Sequence, residues 1–181
     1  MRGIFCIDPG ESTGVAWGIV DDRAPYALEA VKQRLEAGST TLTNQTPTQI
    51  RELYKLWTAT KRHWVSRCLL DPDWIDLVVE DFVLFPGEKP GRSTTAPERV
   101  AWGFEGYRMH ALDSYRKSLP RHYNQIIWQK SGAASRFKKR SILEQADAWI
   151  VGRDHERSAF AHMILRTNIL LDHAPARRAR R

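Results

Sequence analysis

Asp8 closes a short apolar stretch, Glu80 stands inside another, and Asp154, His155 and Glu156 sit together at the head of a third, amphipathic segment. Carboxylates drawn from distant parts of a chain repel one another when they meet, unless a proton or a cation lies between them. An oxygen-rich set with a single imidazole suits Mg²⁺ or Mn²⁺ rather than structural zinc. Two such ions about 4 Å apart can activate a water, align it with a phosphodiester and stabilise the leaving oxygen. Asp8, Glu80, Asp154, His155 and Glu156 are therefore the residues from which such a metal site could be built. Phosphodiester hydrolysis is the reaction that fits them.

Each residue also has a plainer role open to it. Asp8 before Pro9-Gly10 can simply open a turn, and Asp154 can cap the helix it precedes. His155 alone reads as a surface histidine. Glu80 is harder to set aside, because an unpaired carboxylate inside a hydrophobic strand costs several kcal/mol. Asp81 and Glu156 are expected to face solvent or to support the ligands.

Positioning these groups takes strand ends and a helix start. Gly3 to Asp8 alternates apolar side chains and runs into Pro9-Gly10, as a strand entering a tight turn does. Val15 to Val20 predicts a second strand, antiparallel to the first. Tyr26 to Leu35 allows either a third strand or a helix. Thr46, with Pro47 at the first helical position, opens a long amphipathic helix that reaches Cys68. Trp74 to Leu84 predicts a buried strand carrying Glu80, followed by a loop over Pro86 to Pro97 and a helix from Glu98 to Ser118. Asn124 to Gln129 predicts a short strand, Ser131 to Arg140 a basic loop, and Ile142 to Val151 a helix stopped by Gly152. A last helix spans about His155 to Leu171. The order predicts an α/β chain whose mixed five-stranded sheet carries helices on both faces. Residues 1–173 then form one domain and 174–181 a basic tail. Most of the seven tryptophans, Trp102 among them, are expected in the core.

Ile7-Asp8-Pro9-Gly10-Glu11-Ser12-Thr13-Gly14 resembles the opening motif of the RuvC-like Holliday-junction resolvases, an Asp-Pro-Gly turn followed by a small-residue hairpin. Val78-Val79-Glu80-Asp81-Phe82 resembles that family's strand ending in a metal-binding Glu, and Trp102-Gly103-Phe104-Glu105-Gly106 occupies the place of its Gly-rich helical turn. His155-Glu156-Arg157-Ser158-Ala159-Phe160-Ala161-His162 resembles its last-helix motif, in which two ligands stand three residues apart before an Ala. The motifs span nearly the whole chain. The resemblance implies an RNase H-like fold, a bacterial or phage-type nuclease and two bound Mg²⁺ or Mn²⁺ ions. It also implies a four-way DNA junction as substrate, whose symmetry calls for a homodimer. One departure stands out: Ser158 occupies the position the family usually fills with Asp. Asp154, four residues earlier, shares a helical face with it and is expected to replace the missing ligand, so that the resemblance implies Asp8, Glu80, Asp154 and His155 as the metal-binding and catalytic residues.

Composition agrees with a nucleic-acid partner. The chain of 181 residues carries 28 Lys and Arg against 21 Asp and Glu, a net charge of +7, and such an excess favours polyanions. Four of these charges, Arg177, Arg178, Arg180 and Arg181, lie in the tail. Lys130, Arg136, Lys138, Lys139 and Arg140 form a run without acids, and with Lys89 and Arg92 they are expected to hold DNA phosphates without reading bases. Phe82, Phe85 and Trp102 offer rings for stacking on unpaired bases, with core packing as the competing role for Phe82 and Trp102. Cys6 and Cys68 lack metal-ligand spacing, the N-terminus lacks a signal-peptide profile, and no apolar run approaches membrane length. The expected setting is a bacterial or infected-host cytosol, with no membrane partner. Flap, fork or RNase H-type cleavage by a monomer is the neighbouring alternative, since fold does not choose substrate. A non-catalytic junction-binding relative is another, suggested by Ser158. Asp8-x-Gly10-x-x-Thr13-Gly14 also resembles the first phosphate loop of actin-like ATPases, but their second phosphate loop and adenosine loop have no counterpart here.

Overall fold

Side chains along β1 (Arg2–Asp8) are apolar from Ile4 to Ile7 and buried on both sides: Ile4 and Cys6 point one way, Phe5 and Ile7 the other. A strand of this kind belongs at the centre of a sheet covered on both faces. The computed structural model describes residues 1–43, 46–67, 69–71, 74–81, 96–115 and 126–172, and it places β1 there. β2 (Thr13–Val20) pairs antiparallel with β1, and β3 (Leu35–Leu42) antiparallel with β2. On the other side β4 (Ile75–Asp81) runs parallel to β1, and β5 (Ile126–Lys130) parallel to β4. The order β3-β2-β1-β4-β5 with this mixture of directions is the RNase H-like fold.

Two helical layers divide the core. α2 (Thr46–Ser66) and α3 (Ala96–Tyr115) cover one face, where Ile50, Leu53, Trp57, Val100 and Phe104 pack on Phe5, Ile7, Leu77 and Val79. α5 (Asp154–Asp172) crosses the other face, flanked by α1 (Ala27–Lys32) and α4 (Arg140–Gln145), with Val31, Leu143, Phe160 and Met163 over Ile4, Cys6 and Val78. No helix among the described residues is long and apolar enough to cross a membrane.

One open alternative is decided and three sequence expectations are corrected. Within Tyr26 to Leu35, Ala27, Ala30 and Val31 are buried at helical spacing, so the segment is α1 and the third strand begins only at Leu35. The helix expected over Ile142 to Val151 ends at Gln145. Asp147 takes the left-handed conformation (φ 51) that closes it, with Ala148 N–H bonded to Leu143 O at 2.8 Å and Asp147 N–H to Glu144 O at 3.1 Å. A glycine usually fills that role, and Arg34 compensates by donating to the freed carbonyls of Ala146 and Asp147. Gly152 (φ 72) instead turns the chain into α5. The basic loop is a 3₁₀ helix over Ser131–Lys138. Trp57 and Trp64 are buried and Trp17 and Trp149 pack partly buried against the core, but Trp102, expected there too, is 65% exposed. Cys68, Phe82, Phe85, the expected loop over Pro86 to Pro97 with its Lys89 and Arg92, and the tail 174–181 lie outside the described residues or, at the loop's C-terminal end, inside α3.

Candidate active site at the strand ends

Strand register decides which carboxylates meet. β1 and β4 run parallel with Ile7 opposite Val79, so the next residue on each, Asp8 and Glu80, projects to the same face, the one α5 covers. Both side chains are largely buried, at 15% and 7% exposure, and they are near enough to share a hydrogen bond. Burial pushes the Asp8 carboxyl up. The charge and hydrogen bond of Glu80 add to this against the pull of His155, and its pKa moves from the ordinary 3.8 to about 6. Burial would raise Glu80 too. Hydrogen bonds from His162 and Asp8, reinforced by the charge of Lys138, bring it instead from 4.5 down to about 2. The pair thus keeps one proton into the weakly acidic range, on Asp8.

α5 supplies the opposite wall. His155, Ser158, His162 and Arg166 recur at helical spacing and form one polar stripe over the sheet. His155 Nδ1 lies 3.1 Å from Asp8 Oδ2, and Ser158 Oγ donates to Glu80 Oε2 at 3.1 Å. His162, fully buried, places Nε2 3.1 Å from the same Glu80 oxygen and Nδ1 2.8 Å from the side-chain amide oxygen of Gln129 on β5. In that orientation the Gln129 amide nitrogen has no hydrogen-bond partner among the described residues. Turned end for end, the amide nitrogen donates to Nδ1, and Nε2 then carries the proton that faces Glu80 at 3.1 Å. Further along, Arg166 donates to Asp76 at 2.7 Å and locks the helix to β4.

His155 is 45% exposed, and its hydrogen bond to Asp8 raises its pKa above the ordinary 6.5. The close approach that makes this contact depends on Gly14. A Cβ there would overlap the His155 carbonyl and lie 2.7 Å from Glu156 N. Lys138, at the end of the 3₁₀ helix, holds Nζ 3.7 Å from Glu80 Oε1.

Of the four expected ligands, Asp8, Glu80 and His155 come together and Asp154 does not. Its carboxylate is 81% exposed and pairs with Arg157. Glu156, expected toward solvent or as a support of the ligands, is fully buried and turned away toward β3, where it accepts from Thr41 Oγ1 and Arg153, both at 2.9 Å. His162 and Gln129 were missed as site residues. The signal for His162 was its place seven residues after His155 and four after Ser158, which puts all three on one face. Lys130, Arg136, Lys139 and Arg140 are exposed beside the site; Arg136 lies over Phe137 and Arg140 pairs with Glu144 at 2.7 Å.

Among the described residues no three His, Cys, Asp or Glu side chains converge as a ready metal cage. The Asp8–Glu80 pair nevertheless fits one hard divalent cation. Two buried carboxylates in contact, one driven to hold its proton, are the arrangement such an ion relieves.

Fold and site together define an RNase H-like α/β protein with an acidic centre at the carboxyl ends of its two middle parallel strands. No family model matches the chain, and no curated protein matches it. Among solved structures, T. thermophilus RuvC in complex with Holliday junction substrate is similar over 97% of this chain and 96% of its own, at 13% identity and a TM-score of 0.49.

Proposed function

We propose that this chain is a metal-dependent endonuclease that hydrolyses phosphodiester bonds in branched DNA, with the four-way junction as its first substrate. The observation that carries this reading is the facing pair Asp8 and Glu80, set into the sheet ends with His155 at its rim. Asp8 and Glu80 would hold Mg²⁺ or Mn²⁺, with His155 as the adjacent nitrogen donor. When bound, such an ion polarises a phosphodiester and lowers the pKa of a water.

The chain's own groups have separable tasks. Ser158 and His162 fix the Glu80 carboxylate from two directions. Asp8 orients the His155 ring by accepting from Nδ1, which leaves Nε2 as the nitrogen that would face the ion. Lys138 offsets the negative charge beside Glu80 and, being partly exposed, presents a cation to an incoming phosphate. These residues suffice for one ion; holding the expected second one requires Asp154 to leave Arg157. A symmetric junction presents two equivalent strands, so resolution calls for a two-fold dimer.

The test is cleavage of labelled four-way junction, flap and linear duplex by wild type and Glu80→Gln, with Mg²⁺, Mn²⁺ or EDTA. We expect paired symmetric nicks in the junction that vanish in EDTA and fall at least about a hundredfold in the variant. Preferential flap cutting would shift the reading to a flap or fork nuclease. Junction binding without metal-dependent cleavage would make the chain a non-catalytic relative, as Ser158 already hints.

A further inference from the structure

Beyond Glu80 the site opens into a cleft of about 350 Å³ between the carboxyl ends of β4 and β5 and the first turns of α3. Glu80, Asp81 and Glu98 line it with Pro97, Trp102 and Trp128. The two indoles stand 5.4 Å apart between ring centroids, tilted by 38°. Unlike Trp57 and Trp64 they are withheld from the core, at 65% and 39% exposure.

We propose that this cleft takes an unpaired, amino-bearing nucleobase from a DNA strand whose backbone lies on the Lys138 side of Glu80. The proposal rests on the DNA-cleaving reading above and adds base selectivity to it. A phosphate is disfavoured here, because Glu80, Asp81 and Glu98 line the cleft and no Lys or Arg does; Lys138 reaches Glu80 from the 3₁₀ helix, and Lys130 stands opposite Asp81 in the β4–β5 register. A base is accepted for the converse reason. Indole faces stack on any base, while carboxylates accept from the exocyclic amino groups of cytosine, adenine or guanine. Thymine has no amino group to offer. Base and phosphate thus sort to the two sides of one carboxylate, and the bond to be cut falls between them.

The test uses the full chain and its Trp102→Ala, Trp102→Phe and Glu98→Gln variants. Each is titrated in EDTA with single-stranded oligodeoxycytidylate and oligodeoxythymidylate, reading tryptophan fluorescence and the dissociation constant. Oligodeoxycytidylate should quench the fluorescence and bind more tightly than oligodeoxythymidylate. Trp102→Ala should weaken its binding about five- to a hundredfold, Trp102→Phe should retain most of it, and Glu98→Gln should narrow the difference between the two oligomers. Trp102 is exposed, so its truncation leaves the core intact, and the Phe variant reports on the ring itself. Unchanged binding by Trp102→Ala, or a cytosine-to-thymine ratio untouched by Glu98→Gln, would overturn the proposal. If wild type cuts junctions while Trp102 is silent, the base cleft fails and the nuclease reading stands. If no branched DNA is cut but oligodeoxycytidylate binding depends on Trp102, the reverse holds.

Discussion

Asp8 is the residue at which the site works against the fold. Its pKa rises from 3.8 unfolded to about 6 folded, because burial and Glu80 disfavour its charge. The native state therefore binds the Asp8 proton more tightly than the unfolded chain does, and the stability this confers is complete below pH 3.8 and lost as pH rises through 6. The loss is on the order of 2 to 3 kcal/mol. His155, raised above 6.5, acts in the same sense at slightly higher pH. Glu80 acts oppositely: lowered from 4.5 to about 2, it contributes above pH 4.5 and loses that contribution as pH falls toward 2. Without metal, thermal stability should thus peak at about pH 4, where the opposing slopes of the two carboxylates cancel, and decline toward pH 8. Asp8→Asn should flatten that decline. Mg²⁺ or Mn²⁺ should raise the melting temperature more at pH 8 than at pH 5, because the ion competes with the proton. Melting curves in EDTA and in each metal, at both pH values, measure this; a wild-type profile flat from pH 5 to 8 would contradict it.

At the scale of elements, α5 carries most of the site, and its angle over the sheet is set by contacts that differ in how readable they are. Asp8 and Glu80 were legible because a carboxylate at the end of a continuous apolar strand is costly to bury unless a proton, a cation or a hydrogen-bond donor awaits it. β1, β4 and α2 were legible for the related reason that long unbroken patterns leave little choice. α4 was not: its stop is a left-handed Asp147 supported by Arg34 from a distant part of the chain, and no local glycine marks it. Asp154 could not be separated from a helix-end residue in the sequence, and its pairing with Arg157 is a choice made on the helix surface. His162 was hidden because a lone histidine in an apolar helix reads as core until its partner, Gln129 on β5, is known. Gly14 sits between these cases: its place in the hairpin was visible, its packing against the α5 start was not. A methyl group there would meet His155 backbone, which cannot rotate away. Gly14→Ala should therefore lift the start of α5 from β2, cost about 1–3 kcal/mol of stability and abolish cleavage by separating His155 from Asp8. Thermal unfolding and junction cleavage check both parts; wild-type values in each would mean that the helix start is not held by that contact.

For the whole molecule, the distribution of charge matters more than the excess of +7. The carboxylates converge at the ends of β1 and β4, while exposed Lys130, Arg136, Lys139 and Arg140 stand beside them on β5, the 3₁₀ helix and the turn into α4. On the proposed DNA-cleaving reading, an acidic centre with a basic flank would admit the backbone along one side only, so the flank would orient the strand as well as bind it. Contacts of this kind carry no base information and release counterions. Arg140 is partly committed to Glu144 and Lys138 to Glu80, which leaves Arg136 and Lys139 as the cleaner probes. Replacing both by Gln should weaken junction and duplex binding by similar factors, leave the preference between them in place, and reduce the slope of log affinity against log salt on duplex DNA by about 1.8, near 0.9 for each phosphate contact removed. Binding titrations over a range of salt concentrations decide the matter. An unchanged slope would remove the 3₁₀ helix from the DNA path and move the backbone to the opposite side of the acidic row, where the cleft between β5 and α3 would have to receive phosphate rather than base.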